Sequence, residues 1–334
     1  MTDRELRELV IATGPAADEL RAAADRVRRE TVGDDVYLRG IIEFSSHCRC
    51  DCAYCGLRES NNALARFRLS PAQVVAACRE IAGLGFGTAV LQSGEDTWWT
   101  AARVADLVRE IKRETPLAVT LSLGERPPGD YRLWREAGAD RYLLKHETAN
   151  RALYERLHPG ASYEQRLACQ DALFALGYQV GSGCIIGLPG QTPEMLVEDL
   201  RLIEARRVHM CGLGPLIPHP ATPLAAAPVG SVEIALNMMA LARLLVPDLM
   251  LPATTSLETA RPGARLQALR GGANVLMPNL TPREFAAGYD IYPGKKAPQL
   301  TLPEEVARTV AIVRAAGRSV GPGAGHSPRA CATA

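Results

Sequence analysis

The chain has 334 residues, 47% hydrophobic and 22% charged, and its 38 Lys plus Arg against 37 Asp plus Glu leave a formal charge of +1. Such balance argues against nucleic acid or an anionic membrane as the main partner, and no apolar run approaches the roughly 20 residues that span a bilayer. The start of the chain is amphipathic and charged rather than a cationic stretch followed by an apolar core, so a cytoplasmic location is expected.

Residues 1–37 read as a helical leader. Eight short apolar or β-branched runs then recur, most with a longer helical pattern behind them: GIIEFS (40–45), TAVLQSG (88–94), LAVTLSLG (117–124), RYLLKH (141–146), VGSGCIIG (180–187), MCGLGPLI (210–217), MLPATT (250–255) and ANVLMPN (273–279). They are apolar throughout rather than alternating, as parallel strands covered on both faces are. Spacers such as SPAQVVAACREIAGLG (70–85) and TPEMLVEDLRLIEARR (192–207) open on Ser-Pro or Thr-Pro, an N-cap followed by proline at the first helical position. Eight such units predict an α/β fold, a closed (β/α)8 TIM-type barrel over 38–290, in preference to an open doubly wound sheet. Residues 291–334 read as a short C-terminal extension, with a loose tail from 318. In such barrels chemistry sits in the loops that follow the strands.

The nine cysteines, with no secretory signal, are expected as reduced thiols, metal ligands or catalytic groups. Cys48, Cys52 and Cys55 form C-x3-C-x2-C just after the first run, and Cys50 lies inside the same loop. Three thiolates on one loop suit an iron–sulfur cluster that takes three ligands from protein and leaves one iron open. Structural zinc is the competing reading and wants a fourth ligand, for which Cys50 and His47 are the nearest candidates.

A C-x3-C-x2-C motif on the first loop of a barrel resembles the radical S-adenosylmethionine (SAM) superfamily. The resemblance narrows on EFSSHCRCDCAYCGLR (43–58), LQSGED (91–96), TLSLGE (120–125), RYLLKHETAN (141–150), GLPGQT (187–192), GLGPLIPHPATPL (212–224), LPATT (251–255) and MPNLTP (277–282). Together these look like the HydE family of [FeFe]-hydrogenase maturases; biotin synthase and methylornithine synthase share the barrel. The resemblance implies a [4Fe-4S] cluster on Cys48, Cys52 and Cys55, with SAM bound at the open iron.

Carried over residue by residue, the resemblance places Tyr54 against the adenine, although loop packing would equally explain it. Ser93, Gly94 and Glu95 would receive the methionine ammonium, Glu147 the ribose hydroxyls and Arg166 the SAM carboxylate, while Gly187 and Leu188 cradle the adenine. Lys145 departs from the arginine of the family pattern. Substrate would meet Thr120, Ser122, Thr254, Thr255, Met277 and Tyr292, and His219 would brace a loop. A second-cluster ligand of biotin synthase falls at Gly181, and Cys184, three residues on, would point to the opposite face. Cys331 alone is too little for a C-terminal cluster, so one cluster is expected. Cys78, Cys169 and Cys211 read as small buried hydrophobes. Cys50 stays open as bystander, oxidation liability or alternative ligand.

The implied activity is SAM cleavage to a 5′-deoxyadenosyl radical acting on a cysteine-bound iron carbonyl cyanide complex. Its implied partners are HydG-like and HydF-like maturases and an electron donor such as ferredoxin or flavodoxin. The alternatives are rearrangement or sulfur chemistry on a small amino-acid-like substrate, and a non-enzymatic zinc scaffold.

Overall fold

The computed structural model describes residues 1–294 and 300–331. In chain order its strands are β1 (Asp35–Leu38), β2 (Gly40–Ser45), β3 (Thr88–Ser93), β4 (Ala118–Ser122), β5 (Arg141–Leu143), β6 (Gln179–Ser182), β7 (Ile185–Ile186), β8 (Met210–Cys211), β9 (Gly214–Pro215), β10 (Val275–Leu276) and β11 (Ser319–Val320). Six of them form one parallel sheet in the order β2-β3-β4-β5-β6-β8. β7 and β9 pair with each other just beyond β6 and β8. Single parallel bridges join Met210 to Met250, Pro252 to Val275 and Ile41 to Asn279.

Helices separate the strands of this sheet, and their starts follow from side-chain caps. Ser70 accepts from the Gln73 amide while Gln73 returns to the Ser70 backbone, with Pro71 at the first helical position. Thr192 caps Pro193–Arg206 in the same way on one side only, accepting from Met195 N–H. β2 is buried at every position and β3 and β4 at all but one, which is why these runs do not alternate. The leader helices Asp3–Val10 and Gly14–Val32 pack on the outside, largely against Pro193–Arg206 and Val232–Leu245.

The tail is the main difference from expectation. β11 pairs with β1, and the segment after it runs across the end of the sheet opposite the loops that carry the cysteines. Gly325 O accepts from Arg39 Nη2 (2.8 Å), and Ala324 O accepts from Thr88 Oγ1 and Arg141 Nη2 (both 2.9 Å). His326 Nδ1 lies 2.8 Å from Arg141 Nη2. Two buried guanidiniums need acceptors, and a glycine-rich strip brings bare carbonyls close enough to supply them. Far from being loose, the tail is a plug.

Candidate active site

The segment 46–68 folds over the C-terminal ends of the strands, and its shape is held mainly by arginine. Arg66 gathers the carbonyls of Ser46 (2.7 Å), Leu57 (3.0 Å) and Arg58 (2.7 Å), while Arg58 pairs with Asp51. Ala53 N–H donates to Leu157 O (2.8 Å) and Gly56 N–H to Ile291 O (3.0 Å), tying the loop to both walls of the mouth. Cys48, Cys52 and Cys55 then face one cavity of about 360 Å³.

The chemistry of these donors fits a cluster. Cys48 Sγ accepts from Cys50 N–H and Glu95 N–H, each at 3.4 Å. Together with the Cys50 side chain these bring the Cys48 thiol down to about 7. Burial pushes the Cys52 thiol up, with Cys55 and Cys48 adding to the shift, so three thiolates on this loop call for a cation among them. Among the described residues, the one set of three donors converging within 4.8 Å is His146, Cys184 and Asp199. The loop thiols stand wider apart than one zinc ion requires and suit a multi-iron cluster. Gly94 is needed at this point, because a Cβ there would come within 2.6 Å of Cys48 Cβ. Cys50 turns to Cys48 and does not line the cavity.

Of the residues expected around SAM, Tyr54, Ser93, Gly94 and Glu147 line the cavity with the thiols. Tyr54 Oη lies 2.8 Å from His158 Nε2. His158 Nδ1 faces Tyr154 O at 2.8 Å and so carries the proton, which makes Nε2 the acceptor. Burial holds His158 down at about 4, so it stays neutral. Glu147 has φ 63°, a left-handed conformation rare for a residue with a side chain, costing about 1 kcal/mol or more. Lys145 Nζ stands 3.0 Å from Glu147 Oε2, off the angle of a hydrogen bond, so that oxygen keeps acceptor capacity. Burial acts to raise the Glu147 carboxyl, but Lys145 beside it holds it below the ordinary range.

Other expected SAM residues lie elsewhere. Glu95 turns out of the cavity, bound by Arg49 (3.0 Å) and by Glu125 N–H (2.7 Å), so it braces the loop after β3 against the loop after β4. Arg166 sits just behind the wall, its Nε 2.6 Å from Glu125 Oε1 and its Nη1 3.0 Å from Lys145 O. Gly187 and Leu188 N–H both donate to Gln191 Oε1 (2.7 and 3.2 Å), so neither donor is free for an adenine. Leu188 joins an apolar cluster against which Tyr54 packs.

Deeper in the cavity the lining includes Thr254, Thr255, Met277 and Tyr292. Thr120 instead faces a second, smaller space beneath, beside Arg39, Arg141 and Gly181, and Ser122 lines neither. Residues that the sequence pattern did not single out also line the main cavity, among them Gln92, Ser256 and Tyr289, and Lys145, the departure from the family pattern, joins them. Gln92 lies within the motif LQSGED, and Tyr289 stands three residues before Tyr292. His219 stays outside the wall: its Nδ1 accepts from Ala221 N–H (3.0 Å) and its Nε2 lies 3.4 Å from Asp290, a loop brace. Cys184 is fully buried and faces away from the cavity.

A parallel α/β sheet with three thiols facing one cavity defines a class, and comparison with known proteins agrees. The model of the radical SAM superfamily matches residues 42–203. Over 272 residues the chain is 50% identical to the [FeFe] hydrogenase maturase subunit HydE of Thermotoga maritima, covering 81% of this chain and 78% of that one. It is 29% identical over 296 residues to 3-methylornithine synthase of Methanosarcina acetivorans, covering 87% and 83%. The crystal structure of methylornithine synthase (PylB) superposes with a TM-score of 0.83 at 25% identity, covering 96% of this chain and 94% of that one. The chain is a radical SAM enzyme and belongs to the HydE family. Enzymes of this class use a [4Fe-4S] cluster and SAM. No described helix is long and apolar enough to cross a membrane.

Proposed function

We propose that this chain matures [FeFe] hydrogenase as HydE does, acting on a small cysteine-bound iron carbonyl cyanide complex. The observation that carries the reading is that Cys48, Cys52 and Cys55 share one cavity with Glu147, Thr254, Thr255, Met277 and Tyr292. When bound, the cluster and SAM supply reductive cleavage of a carbon–sulfur bond and a 5′-deoxyadenosyl radical. The chain's residues do the rest. The three thiolates would hold the cluster, Glu147 would take the ribose hydroxyls, and Tyr54, fixed by His158, would lie against the adenine, while Arg166 stands behind the wall and braces Glu125 and the Lys145 carbonyl. Ser93 and the Gly94 backbone receive the methionine ammonium. The walls exclude water and stray hydrogen donors. The Thr255 hydroxyl, which accepts from Arg265 Nη2 (2.7 Å), keeps its proton to donate to an anionic complex. An amino-acid rearrangement asks for an ammonium and carboxylate pair around the substrate, whereas the Glu147 carboxylate, with Lys145 against it, stands beside Tyr54 and Cys52.

The same reading closes the sheet into a (β/α)8 barrel through the Met210–Met250, Pro252–Val275 and Ile41–Asn279 bridges. It also gives the chain HydG-like and HydF-like maturases and a ferredoxin or flavodoxin as partners. The experiment is complementation of an anaerobe lacking its own HydE. Restored hydrogenase activity with the wild-type chain, and none with Cys52→Ala, supports the role. Full SAM cleavage without restored hydrogenase would move the chain to another radical reaction.

A further inference from the structure

We infer that His146 and Asp199, buried on the far side of β5 from the cavity, are positioning residues that aim the Glu147 carboxylate at SAM. This rests on the proposal that Glu147 takes the ribose hydroxyls. Lys145 and Glu147 face the cavity, while His146 faces the helix Pro193–Arg206. That helix carries Asp199, and His146 and Asp199 are 1% and 0% exposed.

Asp199 Oδ1 lies 3.3 Å from His146 Nε2 and accepts from Ala149 N–H at 2.5 Å. One carboxylate therefore holds the chain by a hydrogen bond after the turn at 147 and 148 and packs before it against His146, whose Nε2 lies off the angle of a hydrogen bond. His146 Nδ1 lies 2.8 Å from Ser182 Oγ, which accepts from Gln170 Nε2 at 2.9 Å, and Gln170 Nε2 also donates to Leu144 O at 2.7 Å. Glu147 itself is pinned between N–H to Gly183 O (3.0 Å) and O from Ile185 N–H (2.9 Å). A left-handed residue persists only where its surroundings over-determine it, and at Glu147 the over-determination comes from a buried network whose polar groups have no role in the cavity. Of the non-glycine residues described, only Glu147 and Arg207 have positive φ, and Arg207 merely ends a helix.

The test uses cluster-loaded enzyme, with SAM and methionine as separate probes of binding by calorimetry. Methionine lacks the ribose, so Asp199→Asn, which keeps an acceptor for Ala149 N–H, should weaken SAM about tenfold and leave methionine unchanged. His146→Gln, an independent variant should the first not fold, should do the same. In a Glu147→Gln background either change should add nothing. Equal weakening of SAM and methionine, or losses that add in that background, would reduce the pair to a structural tie and overturn the inference. If Glu147→Gln alone leaves SAM affinity untouched, the ribose assignment fails rather than the pairing. The donors of His146, Asp199 and Cys184 converge within 4.8 Å. A zinc or iron ion that persists when Cys48, Cys52 and Cys55 are all alanine, and is lost with His146→Gln, would also overturn the inference in favour of a metal site.

Discussion

At the scale of single residues, Glu147 and Gly94 show how little tolerance the mouth of the cavity has. Glu147 is a mostly buried carboxylate whose ionisation depends chiefly on Lys145. In Lys145→Ala burial loses its main opposing contact and the carboxyl rises, so SAM affinity should fall about tenfold near pH 7 and further as pH drops toward 6. Wild type, with the carboxyl held low, should be flat across that range; a flat profile in the variant would show that Lys145 does not control the ionisation of Glu147. Gly94→Ala places a methyl on Cys48, and iron bound after reconstitution should fall by more than half, read by iron counting, while the fold persists by circular dichroism. The three thiols were legible in the sequence because their spacing is local. Glu95 was not: its place in the motif after β3 says that it is near SAM, but not that Arg49 and the Glu125 amide turn it away.

At the scale of elements, strand runs and helix caps were readable because each follows from neighbours in sequence. Depth along a strand was not. Alternation says that Thr120 faces inward, but only its neighbours on adjacent strands decide that it meets the small space beside Arg39 and Arg141 rather than the main cavity. The helix Arg151–Leu157 and its C-cap His158 make a further prediction. Ordinary histidine takes its proton near 6.5, whereas burial holds His158 at about 4. Between those values the unfolded chain binds a proton that the folded chain refuses, so stability is full above 6.5 and falls as pH is lowered through that window. One pKa unit is about 1.4 kcal/mol, which sets a loss of about 3 kcal/mol at most. His158→Gln keeps an acceptor for Tyr54 and should flatten urea-unfolding stability between pH 7 and 5 relative to wild type.

At the scale of the whole molecule, the plug is what sequence reading missed most clearly. A strip of glycine, proline and serine reads as loose because composition records local preference only, while its partners Arg39, Thr88 and Arg141 lie 183 to 286 residues away. Ending the chain at residue 320 would take the Gly325 and Ala324 carbonyls from the Nη2 donors of two buried guanidiniums, and a buried donor left without an acceptor costs about 1–3 kcal/mol, more when charged. The truncated chain should therefore unfold several degrees lower in a thermal melt, and an unchanged melting temperature would show the plug to be dispensable. The leader, the strands and the three thiols all serve one claim, that the loop over the strands holds a cluster against SAM. Anaerobic reconstitution with iron and sulfide, followed by dithionite and SAM, tests it most directly. About four irons per chain and release of 5′-deoxyadenosine are the expected result, both lost in Cys52→Ala with the fold intact. Bound zinc without deoxyadenosine, or undiminished cleavage in that variant, would contradict it.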